Sequence, residues 1–295
     1  MYRYLSAAII AALLTSVFSA RATEQNERSN PVVSPLAISV PGQLKQPSYF
    51  SYPQPGACCV VIAHAGGAID GNPYTNSAEA IERNYAAGVR LFEIDFDRTA
   101  DNHWVAVHDW PRWQRLSSYE GTMPPTLEEF TGTSILVRKI GWSINKAYTP
   151  VTLLWLEQFL AEHPDAFVVT DLKSLKLFPS LAAHIVGRPQ ASQFIFQAYS
   201  FDHIDYVRKL DAKAKVIFTL YRSGKTPRAL ARISDYRTYL WGITLPMRWA
   251  ADPGMLESLR EQELPIFLHG SPGNINSNTL HLDFAARGIA GFYLD

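Results

Sequence analysis

Cysteine is almost missing from this chain. Only Cys58 and Cys59 occur in 295 residues, and neighbours in sequence would form a strained mutual disulfide. A disulfide framework is therefore excluded. A surplus of either charge is missing as well, because 27 Lys+Arg balance 27 Asp+Glu. That excludes a dedicated nucleic-acid binder, which needs an excess of cations to hold the phosphate backbone. Charged residues make up only 18% of the chain against 47% hydrophobic ones, so a disordered chain is excluded in favour of a sizeable core. Long apolar runs are missing beyond Phe18. The single run present, Leu5 to Phe18, has 14 residues, short of the ~20 that cross a bilayer. With Arg3 before it and Ala20-Arg21-Ala22 after it, residues 1–22 read as a secretory signal peptide. The expected protein is exported, periplasmic or secreted, with no transmembrane span once the signal is cleaved. No cysteine follows the run to carry a lipid anchor.

Residues 23–56 differ in kind from the rest, with Pro31, Pro35, Pro41, Pro47, Pro53 and Pro55 spaced among polar and small residues. This pattern predicts a strap or linker without regular structure. From residue 57 onward, short β-branched apolar runs alternate with segments of helical period, the pattern of βα units around a parallel sheet. Strands are expected at Val60–Ala63, Leu91–Phe96, Phe167–Asp171, Phe194–Tyr199, Lys215–Leu220, Leu240–Leu245, Pro265–His269 and Gly291–Asp295. Helices are expected at Ser77–Ala87, Leu153–Glu162, Ser180–Gly187, Phe201–Leu210, Pro227–Ile233 and Gly254–Glu261. Eight strands with helices between them predict an α/β fold, a (β/α)8 TIM barrel over 57–295, whose site lies where the strands end.

Trp104 to Asp109 is one strand candidate too many. If Ala100 to His103 turn tightly, it returns antiparallel along Leu91 to Thr99, with opposed residue numbers summing to 203. His108 would then face Asp95. Glu93, Asp95 and Asp97 would share a face with Trp104, Ala106 and His108, while Phe92, Ile94 and Phe96 point the other way with Val105 and Val107. Three carboxylates and an imidazole on a covered face are expensive to bury unless paired or bound to metal. The alternative is a solvated face of ordinary surface acids. His64 closes the first strand, and Asp171 and Lys173 close the one after the hairpin, so a barrel would bring all of these to one rim. Trp104, Trp110, Trp113 and Trp142 are expected to be packing residues, with a lipid-facing rim as the other reading.

His64-Ala65-Gly66, Asn76-Ser77, Glu93-Ile94-Asp95, Val107-His108-Asp109, Asp171-Leu172-Lys173, Ser200-Phe201-Asp202 and Gly291-Phe292-Tyr293-Leu294-Asp295 resemble, in order, the motifs of the glycerophosphodiester phosphodiesterase family. The resemblance runs from about Val60 to Asp295. It implies a TIM barrel, a divalent metal such as Mg²⁺ or Ca²⁺ on Glu93, Asp95 and Asp171, and proton transfer by His64 and His108. It also implies a phosphate contact from Lys173 and a small or lipid-derived phosphodiester as substrate. Hard cations take oxygen ligands, and phosphodiester cleavage needs charge neutralisation plus acid–base help for an alkoxide leaving group.

The sequence departs from the family at Ala65, where arginine is usual, and at Thr75, where glutamate is usual. Asp171 replaces a glutamate, and Leu268-His269-Gly270 stands in place of a tryptophan near the end of the penultimate strand. Sphingomyelinase D-like phospholipases share the implied plan, so a lipid phosphodiester is a variant reading. A catalytically silent periplasmic binding protein is the reading from another class, and the retained histidines speak against it.

Overall fold

The computed structural model describes residues 60–138, 145–222, 227–270 and 286–295. Every described residue belongs to one compact unit. The predicted signal peptide, the strap and Cys58-Cys59 lie outside the described residues.

Eight parallel strands close a barrel: β1 (Val60–Ala63), β2 (Leu91–Arg98), β6 (Phe167–Asp171), β7 (Phe194–Ala198), β8 (Lys215–Thr219), β9 (Leu240–Pro246), β10 (Ile266–His269) and β11 (Ile289–Leu294). They follow one another around the ring in chain order, and β1 completes it by pairing with both β2 and β11. Each lies where its apolar run predicts, within two residues at either end. Helices α1 (Ala78–Ala86), α4 (Leu153–Glu162), α5 (Phe178–Val186), α6 (Phe201–Leu210), α7 (Pro227–Tyr236) and α8 (Pro253–Arg260) cross between the strands. Side-chain oxygens of Thr152 and Ser200 accept from the third residue of α4 and α6, which satisfies amide groups that a helix start leaves without partners. Among the described residues no helix is long and apolar enough to cross a membrane.

The strand period of two divides the apolar residues into layers. Phe92, Ile94, Phe96, Val168, Phe194, Phe196, Phe218 and Phe292 point outward under the helices. Val60, Ile62, Leu91, Phe167, Val169, Ile195, Ile217, Trp241 and Phe267 fill the barrel itself. Gly291 is fixed by this closure, since a Cβ there would stand 2.1 Å from the Val60 carbonyl oxygen of the neighbouring strand. Val60 and Ile62 thus belong to the inner layer of β1. Ala63 joins Phe292 and Leu294 in the outer cluster.

The hairpin exists, but its register differs from expectation by one residue. β3 (Trp104–Ala106) pairs antiparallel with the end of β2 as Phe96↔Ala106, Asp97↔Val105 and Arg98↔Trp104. Opposed numbers thus sum to 202, so Val107 and not His108 faces Asp95, its N–H donating to the Asp95 carbonyl at 2.8 Å. The shift exchanges the faces of β3. Trp104 and Ala106 join the outer apolar layer, whereas Val105 and Val107 pack with Ile69, Trp113, Phe130 and Tyr148. The residues that cover Val105 and Val107 decide the register, because a one-residue slip would carry both side chains to the opposite face. Trp104 and Trp113 are packing residues; Trp142 lies outside the described residues.

Between β3 and α4 the chain inserts α2 (Trp110–Ser117), α3 (Leu127–Thr131) and a two-stranded antiparallel sheet, β4 (Ile135–Arg138) with β5 (Asn145–Tyr148). None of these four elements is predicted by the sequence reading. The insertion has its own small apolar cluster around Phe130.

Candidate active site

Along most strands the inward positions change from apolar to polar toward the C-terminal end. The series run Val60-Ile62-His64, Leu91-Glu93-Asp95, Phe167-Val169-Asp171, Ile195-Gln197-Tyr199, Ile217-Thr219-Tyr221 and Phe267-His269. A cavity of about 470 Å³ opens at that rim, lined by His64, Glu93, Asp95, His108 and Asp171 together with Tyr74, Gln197, Thr219, Tyr221, Thr244, His269, Tyr293 and Asp295. Five of the six site residues read from sequence meet here. The sixth, Lys173, pairs with Asp109 at 3.1 Å on the surface and does not line the cavity.

Glu93, Asp95 and Asp171 can each offer a carboxylate oxygen such that all three lie within 4.8 Å of one another. Asp95 and Asp171 are direct partners in the β2–β6 ladder, which explains how an aspartate at 171 reaches the cluster. Glu93 is 1% and Asp95 3% exposed. Burial pushes the Glu93 carboxyl well above the usual range, with further upward pressure from Asp95 and Asp171. Asp95 is pushed up to about 6, again first by burial and then by Asp171. The protein answers this charge mostly with neutral donors: the Ala65 N–H to Glu93 at 2.8 Å, the Asn76 amide to Asp95 at 3.0 Å, and the Tyr199 hydroxyl to Asp171. Among the described residues no Lys or Arg lines the cavity. Three clustered carboxylates with so little protein cation fit a hard divalent ion that takes oxygen ligands.

Each site histidine is fixed at Nδ1 by a carboxylate. His64 Nδ1 lies 2.8 Å from Asp295 Oδ1, and its Nε2 is 3.9 Å from Glu93. His108 Nδ1 lies 2.7 Å from Asp109 Oδ2. Asp109 also caps α2 by accepting the Arg112 N–H at 2.8 Å, so the helix start and the imidazole are held by one side chain. Burial pushes the Asp109 carboxyl up, but bonds from His108, Arg112 and Lys173 prevail and hold it at about 2. An ionised carboxylate only accepts, so each ring carries its proton on Nδ1 and presents Nε2 as the free nitrogen.

Several participants escape a sequence reading. Asn76 both donates to the Asp95 carboxylate and accepts the Asp95 N–H at 3.2 Å. Its place in the Asn76-Ser77 motif was the available signal. Gln197 receives the Tyr293 hydroxyl at 2.9 Å, and its amide reaches Tyr199, which continues to Asp171. Burial raises the pKa of both Tyr199 and Tyr293 far above their ordinary value, keeping them protonated donors. His269 lines the cavity with a buried Nε2 that has no hydrogen-bond partner among the described residues, and burial lowers its pKa to about 4, so the ring is neutral.

No protein-family model matches the sequence, and no curated protein shows significant sequence similarity to it. Solved structures do match. A glycerophosphoryl diester phosphodiesterase from Parabacteroides distasonis is 17% identical, with a TM-score of 0.64 over 84% of this chain and 85% of its own. A glycerophosphodiester phosphodiesterase from Thermotoga maritima is 18% identical, with a TM-score of 0.58 over 80% and 94%. A phosphodiesterase from Oleispira antarctica, solved with its product sn-glycerol-3-phosphate, is 16% identical, with a TM-score of 0.59 over 80% and 92%. At such identities the likeness speaks for the fold: the chain has the barrel of the glycerophosphodiester phosphodiesterases, the family its motifs resemble.

Proposed function

We propose that this protein is a metal-dependent phosphodiesterase that hydrolyses a glycerophosphodiester to glycerol 3-phosphate and an alcohol. One observation carries the reading: two carboxylate-held imidazoles line the same cavity as a cluster of three carboxylates, two of them buried. Recognition alone requires no pair of proton carriers. Glu93, Asp95 and Asp171 would hold Mg²⁺ or Ca²⁺, which when bound neutralises phosphoryl oxygens and makes phosphorus more electrophilic. His64 and His108 divide the proton traffic. One Nε2 takes the proton of the attacking hydroxyl or water, and the other gives a proton to the departing alkoxide oxygen, each transfer worth about 10²- to 10⁴-fold. Asp295 and Asp109 orient the two rings and stabilise their cationic forms. Lys173, joined to His108 through Asp109, supplies positive charge at the rim for an anionic substrate. Export is proposed on the run from Leu5 to Phe18.

Incubating the purified protein with glycerophosphodiesters and following products by phosphorus NMR tests the reading. Release of glycerol 3-phosphate, abolished by EDTA and restored by Mg²⁺ or Ca²⁺, is the expected result. Turnover that persists in EDTA would remove the metal from the scheme, and no turnover with any diester would leave a binding protein.

A further inference from the structure

Tyr74 stands between the two imidazoles. Its ring centroid is 4.5 Å from that of His64 and 5.5 Å from that of His108, with interplanar angles of 74° and 80°. On the ring lies Arg112 of α2, its Cζ 4.1 Å from the centroid. The backbone at Tyr74 is in the left-handed region, φ +61°, which a bulky residue adopts only where the surroundings enforce it.

Those surroundings are tightly determined. The Asn76 N–H closes the loop onto the Ala65 carbonyl at 3.1 Å, and Ile69 and Asn72 exchange backbone bonds at 3.0 and 2.9 Å. Asp70 is tied to Arg83, Lys146 and Tyr148. Yet Tyr74 belongs to none of the hydrophobic clusters among the described residues, and no hydrogen bond holds its hydroxyl there. Neither packing nor hydroxyl chemistry accounts for a tyrosine in so unfavourable a conformation.

We infer that Tyr74 is a positioning residue whose ring sets the planes and the separation of His64 and His108. A carboxylate at Nδ1 fixes one point of an imidazole and leaves it free to swing about that point. A flat ring packed against it supplies the second constraint. Because both histidines lean on the same side chain, one residue couples their orientations, and Arg112 keeps that residue from turning. The inference rests on the reading of the two imidazoles as proton carriers.

The variants Tyr74→Phe and Tyr74→Gly test it, the latter also relieving the left-handed backbone. Tyr74→Phe should keep kcat within about threefold, because only the ring is used. Tyr74→Gly should lower kcat at least ~10-fold while KM for glycerophosphocholine moves less. Its Mg²⁺ affinity by calorimetry should equal that of the parent and its melting temperature should not fall. Independently of activity, the imidazole proton resonances of His64 and His108 should be single and sharp in parent and Tyr74→Phe, but broadened or doubled in Tyr74→Gly. Parental kcat and sharp resonances in Tyr74→Gly would overturn the inference. So would a Tyr74→Phe variant as slow as Tyr74→Gly, since the hydroxyl would then be what acts. If the parent cleaves no diester, the reading of the site fails, and the resonances alone confirm or overturn the role of the ring.

Discussion

Replacing Asp95 by asparagine should make the metal-free protein more stable and the metal-loaded protein less so by comparison. Asp95 is buried, and its carboxyl is raised from 3.8 to about 6 by burial and by Asp171. Below 3.8 the group is protonated in both folded and unfolded chains and contributes no difference. Between 3.8 and 6 the unfolded chain ionises first, so stability falls by about 1.4 kcal/mol per pH unit as pH rises. Above about 6 the full penalty, about 3 kcal/mol, is present. The asparagine side chain carries no charge, and its Oδ1 can still accept the Asn76 amide. At a pH of about 8 in EDTA, Asp95→Asn should melt above the parent by roughly 6–12 °C for a domain of this size. At a pH of about 4 most of that gap should close.

Metal works against this difference, closing most of it at about 100 times Kd and reversing the order only in larger excess. A ligand at about 100 times its Kd stabilises the parent by about 2.7 kcal/mol, and at about 1,000 times by about 4.1 kcal/mol, whereas the variant has lost one of three ligands. Thermal melts of both proteins on either side of the Asp95 titration, in EDTA and across a Mg²⁺ series, measure all four corners. An Asp95→Asn variant that melts below the parent at the higher pH in EDTA would refute the reasoning, because the cluster would then be satisfied by the protein alone.

His64→Ala and His108→Ala should each lower kcat at least ~10²-fold with metal affinity by calorimetry nearly unchanged. Asn76→Gly keeps the left-handed backbone of that position, φ +47°, and removes only the amide. Calorimetry should find metal bound ~10- to 100-fold more weakly, as for other groups that orient a ligand. Lys173→Ala should raise KM for an anionic diester several-fold with a small change in kcat, read from initial rates, because its charge sits at the rim beside Asp109. Deleting residues 23–52 from protein made without residues 1–22 should lower the melting temperature measurably if that segment packs as a strap, and leave it unchanged if it is a spacer.

The barrel was legible in the sequence because each strand is buried on both faces and so must be a nearly continuous apolar run, as in Phe167–Asp171. The site was legible to the extent that its residues interrupt such runs, His64 and Asp171 at the C-terminal ends of theirs and Glu93 and Asp95 within β2. These are local signals. The hairpin register was not local. Both registers alternate polar with apolar, and the choice between them was made by Phe130, Ile69 and Tyr148, residues distant in sequence that cover Val105 and Val107. The inserted α2, α3, β4 and β5 went unread for a like reason, since such short elements carry little periodicity and are stabilised by the cluster they form together. The same holds inside the cavity. Gln197, Tyr199 and Tyr293 look like ordinary strand residues until three strands bring them together below Asp171. Tyr74 sits in a loop whose sequence announces only a turn. The sequence by itself determined which strands form and which end of each is polar, because burial and period act within a few residues. Tertiary structure alone decided which polar groups touch, because hydrogen bonds and ring contacts between β1, β2, β6, β7 and β11 exist only once the barrel has closed.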